Sequence, residues 1–389
     1  MSVLVSFVSF LVVFSLMVFV HEFGHFWVSK RAGVHVREFG FGFPFGLDKE
    51  PSERPLTWKI AEDKGGTVYS INLIPFGGFV NLGENDPDDP KSLANFPKRV
   101  RLAALLAGPA MNLVLAAVVF SVAAMVGYPE FVFGVGVGEV MEDSPAQLAG
   151  LQAGDIVLQV GDQSFDQFTA DGTAANANVS RMVEYVAPRA GQETLVVVQR
   201  GLGEDAVRLE FTVVPRADEN GDGKMGVAIH SAPVHLNRVK LGLFKGIAYG
   251  LREVWTTIWS TLMLPVLLIR GLIPAGAART VGPVGIAIMT GEAVQQSLSV
   301  DWAYPILHLM GALNVAIGIA NLLPIPAFDG GRIVFILIEA IRGKPISPEK
   351  EGLVHGIGLM ILLLLMVAIT VQDILVPLPQ SLNLADYLY

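Results

Sequence analysis

Apolar residues run almost unbroken over residues 3–28, 102–126 and 303–323, and a fourth run covers 353–370. Each is long enough to cross roughly 30 Å of hydrocarbon as a helix. The first run lacks a basic n-region and passes into His21 without a small-residue cleavage site, so it is read as a retained transmembrane helix. Residues 241–273 follow another pattern. Lys245, Arg252, Glu253 and Arg270 interrupt them, while Phe244, Ile247, Leu251, Val254, Ile258 and Leu262 recur every three or four positions. That periodicity predicts an amphipathic helix along the bilayer surface, not a fifth crossing. Residues 131–215 are hydrophilic, with strand-like runs at 194–199 and 209–214 between Gly, Asp and Pro turns, and predict a small folded domain.

Charge orients these elements. Lys30, Arg31, Arg37, Lys49, Arg54, Lys59, Lys64, Lys91, Lys98, Arg99 and Arg101 lie between the first two apolar runs, and Arg332, Arg342, Lys344 and Lys350 between the last two. Both stretches are therefore expected in the cytoplasm, with the termini and the hydrophilic domain outside. With 52% hydrophobic and 16% charged residues, the 389-residue chain is a polytopic membrane protein by composition. Its net charge of −9 comes without a long basic run, which argues against a nucleic-acid partner. Without cysteine there is no disulfide and no thiolate metal site, so a bound metal must rely on histidine and carboxylate.

The chemistry concentrates at the end of the first apolar run. His21, Glu22 and His25 form an H-E-x-x-H motif, whose i, i+4 spacing on a helix sets two imidazoles on one face. Two neutral imidazoles suit Zn²⁺ and leave room for a water molecule, from which Glu22 takes a proton as general base. Three ionisable groups in hydrocarbon cost about 2.5–3.5 kcal/mol each without a partner, and a metal supplies one. The preferred third ligand is Asp329, in a proline-broken stretch at the end of the third run; an ordinary Asp-Gly-Gly turn is its alternative reading. Glu339 is the runner-up, although ten helical residues would carry it about 15 Å away. Asn112, inside the second run, either polarises a scissile carbonyl or packs helices together. Two other signals are declined. Residues 218–223 resemble half of a calcium loop, but its twelfth position is Ile229; His308 lies some 31 Å from Asp329 along a helix.

His21-Glu-Phe-Gly-His25, Gly108-Pro-Ala-Met-Asn112 and residues 321–332 together resemble the site-2 protease family, in particular its bacterial members of the regulator of sigma-E protease type. The resemblance implies that His21, His25 and Asp329 hold zinc, that Glu22 is the catalytic base and that Asn321 contacts substrate. Phe328, where leucine usually precedes the aspartate, is a departure bearing on packing. Residues 71–80 look like the family's membrane-dipping β-hairpin, and a strand edge around Tyr69, Ile71 and Leu73 would hold an unwound substrate by strand addition, or else plug the site. Residues 144–162 resemble the helix-turn-strand signature of a PDZ domain. It would either bind a peptide C-terminus, with residues 133–138 as the carboxylate loop, or act as a size filter; one such domain is expected where some relatives have two.

The expected fold is a polytopic α-helical membrane protein with about four transmembrane helices, a membrane-associated β-hairpin or sheet and one inserted extracytoplasmic PDZ domain. Its parts are transmembrane helix 1 (1–28), a cytoplasmic region with the hairpin (29–99), helix 2 (100–127), the PDZ domain (128–216), a linker with the interfacial helix (217–300), helix 3 (301–323), the Asp-Gly-Gly loop and cytoplasmic connection (324–351), helix 4 (352–372) and an outer tail (373–389). The expected function is zinc-dependent hydrolysis of peptide bonds in or near transmembrane segments, at the cytoplasmic side of a bacterial inner membrane. By the resemblance, substrates are single-pass proteins such as anti-sigma factors, or signal-peptide remnants. A non-catalytic PDZ scaffold or chaperone with a structural metal site is the alternative, and a metal-ion transporter is weaker because the acidic and histidine groups gather at one level.

Overall fold

All four apolar runs are continuous helices in the computed structural model of the chain, which describes residues 3–46, 53–83, 89–170, 172–202, 206–272, 280–344 and 346–376. In chain order the elements begin with α1 (Val3–Arg31), β1 (Glu38–Phe43), β2 (Thr57–Glu62), β3 (Val68–Asn72), β4 (Ile74–Asn81) and α2 (Lys98–Val126). There follow β5 (Tyr128–Val140), α3 (Pro145–Ala149), β6 (Ile156–Val160), β7 (Gln163–Ser164), α4 (Gly172–Val186), β8 (Thr194–Arg200), β9 (Val207–Val213), β10 (Arg216–Ala217), β11 (Gly223–Lys224) and β12 (Val227–Val239). The chain ends in α5 (Leu243–Ile269), α6 (Pro283–Ser299), α7 (Tyr304–Leu322), α8 (Asp329–Arg342) and α9 (Pro348–Leu375). From residue 377 the expected outer tail lies outside the described residues. Two units result, one of Met1–Val126 with Leu241–Gln380, the other containing Gly127–Lys240.

In the first unit α2 is central, packed by α1, α5, α7 and α8. Among the described helices, α1, α2, α7 and α9 are long and apolar enough to cross a membrane. Small residues let them approach closely, as expected where lipid removes the hydrophobic drive between helices. A Cβ on Gly24 would stand 2.3 Å from the Ala107 carbonyl oxygen, and one on Gly311 would stand 2.5 Å from the Phe120 ring. Ala116, Phe120 and Val315 are fully buried there. α9 exposes nearly all its apolar side chains, including Leu353, Met360, Leu364 and Val367, as a lipid-facing helix does.

α5 takes a different course from the surface helix expected at residues 241–273. Its Gly246 rests on Met125, its Gly250 on Ser121 and Ala117, and its Val254 and Ile258 on the cluster around Ala116 and Phe120. Later turns of α5 thus meet earlier turns of α2, so α5 runs antiparallel along α2. The two glycines flank the stripe and, with Val254 and Ile258, give one side of it to α2, while Phe244, Leu251 and Leu262 stay exposed. α6 was unanticipated. The Asp373 carboxylate, on α9, accepts from the Gly282 and Gly285 N–H groups at 3.0 and 2.8 Å and so satisfies the start of α6.

The sheet of the first unit has the order β2-β3-β1-β4. β1 pairs in parallel with β3 and antiparallel with β4, with Phe39 opposite both Tyr69 and Val80. A buried Arg54–Glu38 ion pair at 2.7 Å, with Ser70 Oγ donating to Glu38 at 2.6 Å, fixes its centre. β3 is consequently interior, and the expectation of a free edge at Tyr69, Ile71 and Leu73 is corrected: both sides of β3 are paired. Leu73, just beyond it, donates its N–H to the Leu56 carbonyl. β4 is the edge that lies against α1.

The second unit carries a sheet ordered β12-β5-β6-β8-β9, with β7 beside β6. Its core is Val135, Val137, Val157, Val160, Phe165, Met182, Val196 and Val198. The unit extends past the boundary expected at 216, because β12 pairs with β5 from Val227 opposite Val140 to Val239 opposite Tyr128. Pro233, which weakens a strand reading of the sequence, sits at a register shift in that ladder. Residues 133–138 form no carboxylate loop; they lie within β5, where glycine is needed because a Cβ at 136 would meet Ala232 at 2.4 Å and one at 134 the Phe168 ring at 2.9 Å. Asp218 Oδ1 accepts the Asn220 and Asp222 N–H groups in the turn between β10 and β11, so that stretch is a hairpin turn.

Candidate metal centre

One turn of α1 separates His21 from His25, and the rings meet edge to face at 4.7 Å. Their Nε2 atoms are 3.0 Å apart, and Asp329 Oδ2 lies 3.1 Å from the first and 3.4 Å from the second. Among the described residues this is the one His/Asp/Glu group able to hold a metal.

α2 supports the histidines from behind with one face, at residues 104, 108 and 112. The Ala104 carbonyl lies 2.7 Å from His25 Nδ1 and so must accept a proton from it. Neutral His25 therefore keeps a bare lone pair on Nε2. Gly108 leaves the space the imidazoles fill, since a Cβ there would stand 2.3 Å from His25 Nε2 and 2.8 Å from His21 Cε1. Asn112 is completely buried, with its amide 3.3 Å from His21 Nδ1. The amide therefore meets the far side of the His21 ring from the ligand atoms, and the expectation that Asn112 contacts substrate is corrected.

Asp329 opens α8, which replaces the loop expected over 324–351. Gly330 and Gly331 allow this. A Cβ at 330 would meet the Leu323 carbonyl oxygen at 2.1 Å, and one at 331 the Ile325 carbonyl oxygen at 2.5 Å, so only glycine lets the chain fold back onto the first turn of α8. Its carboxylate is the anionic member of the set, standing beside both imidazoles as a metal ligand must.

The donor set fits zinc. Three lone-pair atoms 3.0 to 3.4 Å apart match the edges, about 3.3 Å, of a tetrahedron with arms of roughly 2.05 Å. Three acceptors at that spacing repel unless a cation lies among them. The three donors border a cavity of 540 Å³ that Glu22, Val80, Asn321 and Arg332 also line. Val80 of β4 and Glu22 of α1 share its wall. The other sequence candidates lie elsewhere. Glu339 pairs with Arg101 at 2.7 Å, and His308 with Glu253 at 3.3 Å. Tyr69 donates to Asp63 and accepts from Lys30, while the Ile71 side chain is exposed. Val80 and Arg332 fall within the stretches 71–80 and 321–332 that carry the family resemblance, but nothing local there marks either as facing the histidines.

Comparison with known proteins places this geometry. Peptidase family M50 matches residues 9–365. The zinc metalloprotease RasP of Oceanobacillus iheyensis is 28% identical over 94% of this chain and 98% of its own. A putative zinc metalloprotease of Clostridium perfringens is 32% identical over 94% and 98%, and the chloroplastic membrane metalloprotease ARASP of Arabidopsis thaliana 30% over 93% and 77%. With the family matched along nearly its whole length and a ligand set suited to zinc, the chain belongs to Peptidase family M50, the site-2 proteases, and is a zinc metalloprotease of the membrane.

Proposed function

We propose that His21, His25 and Asp329 hold the zinc, that Glu22 is the general base, and that the enzyme hydrolyses peptide bonds in or near transmembrane segments of single-pass proteins, including anti-sigma factors and signal-peptide remnants. The observation that carries the reading is the convergence of His21 Nε2, His25 Nε2 and Asp329 Oδ2 within 3.4 Å on a cavity shared with Glu22. When bound, zinc supplies Lewis-acid chemistry, acidifying water and polarising a carbonyl. Glu22 takes the proton from the attacking water and returns it to the leaving amine. Ala104 and Asn112 hold the imidazoles; turned by half a rotation, the Asn112 amide sets Oδ1 to accept from His21 Nδ1–H. Asn321, on the cavity wall, is the side chain proposed to contact substrate.

A helical substrate hides its peptide bonds and must unwind before hydrolysis. The role first expected of Tyr69, Ile71 and Leu73 passes to β4, whose residues Phe79 to Asn81 border the cavity together with Leu82 just beyond it. Strand addition there lays an extended segment beside Glu22. The second unit is proposed to be a PDZ domain, with the outer edge of β12 beside α4 as the place for a peptide C-terminus. Met182, Val183, Val186, Val227 and Ile229 line the small groove there. The bacterial relatives support a bacterial inner-membrane location, and the distribution of Lys and Arg supports residues 29–99 in the cytoplasm with the PDZ domain outside.

Zinc content and cleavage of a panel of transmembrane peptides, for wild type and Glu22→Gln, test the proposal. The variant is expected to keep zinc and lose cleavage. Cleavage that survives the substitution would remove Glu22 from the mechanism.

A further inference from the structure

The chain reaches Asp329 through a strained residue. Ala327 has φ +82°, a left-handed conformation that L side chains rarely adopt and that persists only where surroundings impose it. A turn over residues 325–328, closed by the Phe328 N–H donating to the Ile325 carbonyl at 3.3 Å with Pro326 at its second position, calls for that angle, and α9 braces the turn. The Ala327 N–H donates to His355 Nδ1 at 2.9 Å. One turn further along the same face of α9, Gly358 receives Pro326 so closely that a Cβ would stand 2.3 Å from the proline Cβ. Because Nδ1 accepts, the ring proton resides on Nε2, and Glu351 holds a carboxylate oxygen 4.0 Å from that atom. Phe335 of α8 flanks the same imidazole, with ring centres 5.4 Å apart. α9 therefore grips residues 326 and 327 with one acceptor and one missing side chain, two residues before the carboxylate that meets the histidines.

We infer that His355 is a positioning residue for Asp329: by accepting the Ala327 N–H, it fixes the backbone turn that aims the carboxylate at His21 and His25. Without the acceptor the turn keeps only its own closing hydrogen bond from Phe328 to Ile325, loses its tie to α9, and no longer holds the carboxylate in place beside the pair. The inference rests on Asp329 being a zinc ligand.

Zinc affinity of the full chain, measured by equilibrium dialysis in detergent, tests it. His355→Leu and His355→Gln, which remove or displace the acceptor, are expected to weaken zinc binding by about ten- to hundredfold, the usual effect of losing a residue behind a metal ligand. In His355→Asn the Oδ1 atom stands close to where Nδ1 was, and affinity is expected to stay within about threefold of wild type, the contrast that separates an acceptor from a space-filling ring. Wild-type affinity in His355→Gln, or equal losses in Asn and Leu, would overturn the inference. Should the His355 variants not accumulate, Gly358→Ala pushes the same turn from the same helix. A loss of zinc affinity with unchanged thermal stability supports the inference, and unchanged affinity overturns it. Asp329→Ala separates the two levels. Zinc retained there removes the ligand assignment itself, whereas zinc lost there but kept in His355→Gln removes only the role of His355.

Discussion

Replacing Gly108 by alanine adds a single methyl group to the second helix, yet the structure predicts that it disables the centre. The new carbon would stand 2.3 Å from His25 Nε2, whereas an ordinary contact begins near 3.4 Å, so ring or helix must move by about 1.1 Å. α1 cannot back away freely, because β4 also packs against it, with Gly77 so near that a Cβ there would stand 2.6 Å from Val18 Cγ1. Zinc sites hold ligand distances to about 0.2 Å, so the displacement is several times what the centre tolerates. Zinc affinity is expected to fall at least tenfold, and cleavage by about a hundredfold, the scale for a reacting group misplaced by 1 Å. Gly352→Ala in α9 is the control. Nothing lies within 4 Å of a Cβ at that site, so the same chemical change is expected to leave zinc and cleavage at wild-type level. The assay pairs zinc titration with cleavage of a transmembrane peptide in the same detergent. A Gly108→Ala protein with wild-type zinc affinity would refute the close approach between α2 and the two imidazoles.

Other substitutions probe separate parts. Asn112→Leu is expected to weaken zinc binding by about ten- to hundredfold with KM little changed, whereas a role in polarising the scissile carbonyl predicts a lower kcat with zinc retained. Asp373→Ala, which leaves the Gly282 and Gly285 N–H groups without their acceptor, is expected to cost about 1–2 kcal/mol in denaturant unfolding. In the second unit Arg200 clasps the buried Asp155 through contacts of 2.7 and 2.8 Å, and Arg200→Met is expected to destabilise that unit by about 3 kcal/mol, seen as faster limited proteolysis within residues 127–240.

The crossing helices and the histidine pair were legible because each is written locally, the first in unbroken apolar runs and the second in a four-residue spacing. Asp329 was legible only in combination: an aspartate before two glycines resembles any turn, and its proximity to α1 depends on how α7 and α8 pack. What the sequence hid was pairing and direction. Residues 68–72 and 74–81 are both good strands, and which becomes the edge depends on β2 joining β3, a contact between segments whose order carries no mark. The apolar stripe of α5 was visible and most of it stays exposed, but that its flank packs on α2 turns on Gly246 and Gly250 finding partners there. β12 was obscured by Pro233, and the role of His355 needs a backbone angle at Ala327 that no residue name reveals.

Asp329 lies 308 positions after His21. At bacterial synthesis rates, on the order of half a minute passes between the two. Throughout that interval the nascent protein carries both imidazoles and Glu22 but lacks the Asp329 carboxylate. On the proposed ligand set, a translation product that stops before α8 has two of three arms for the ion, so assembly of the centre waits until most of the chain has been made.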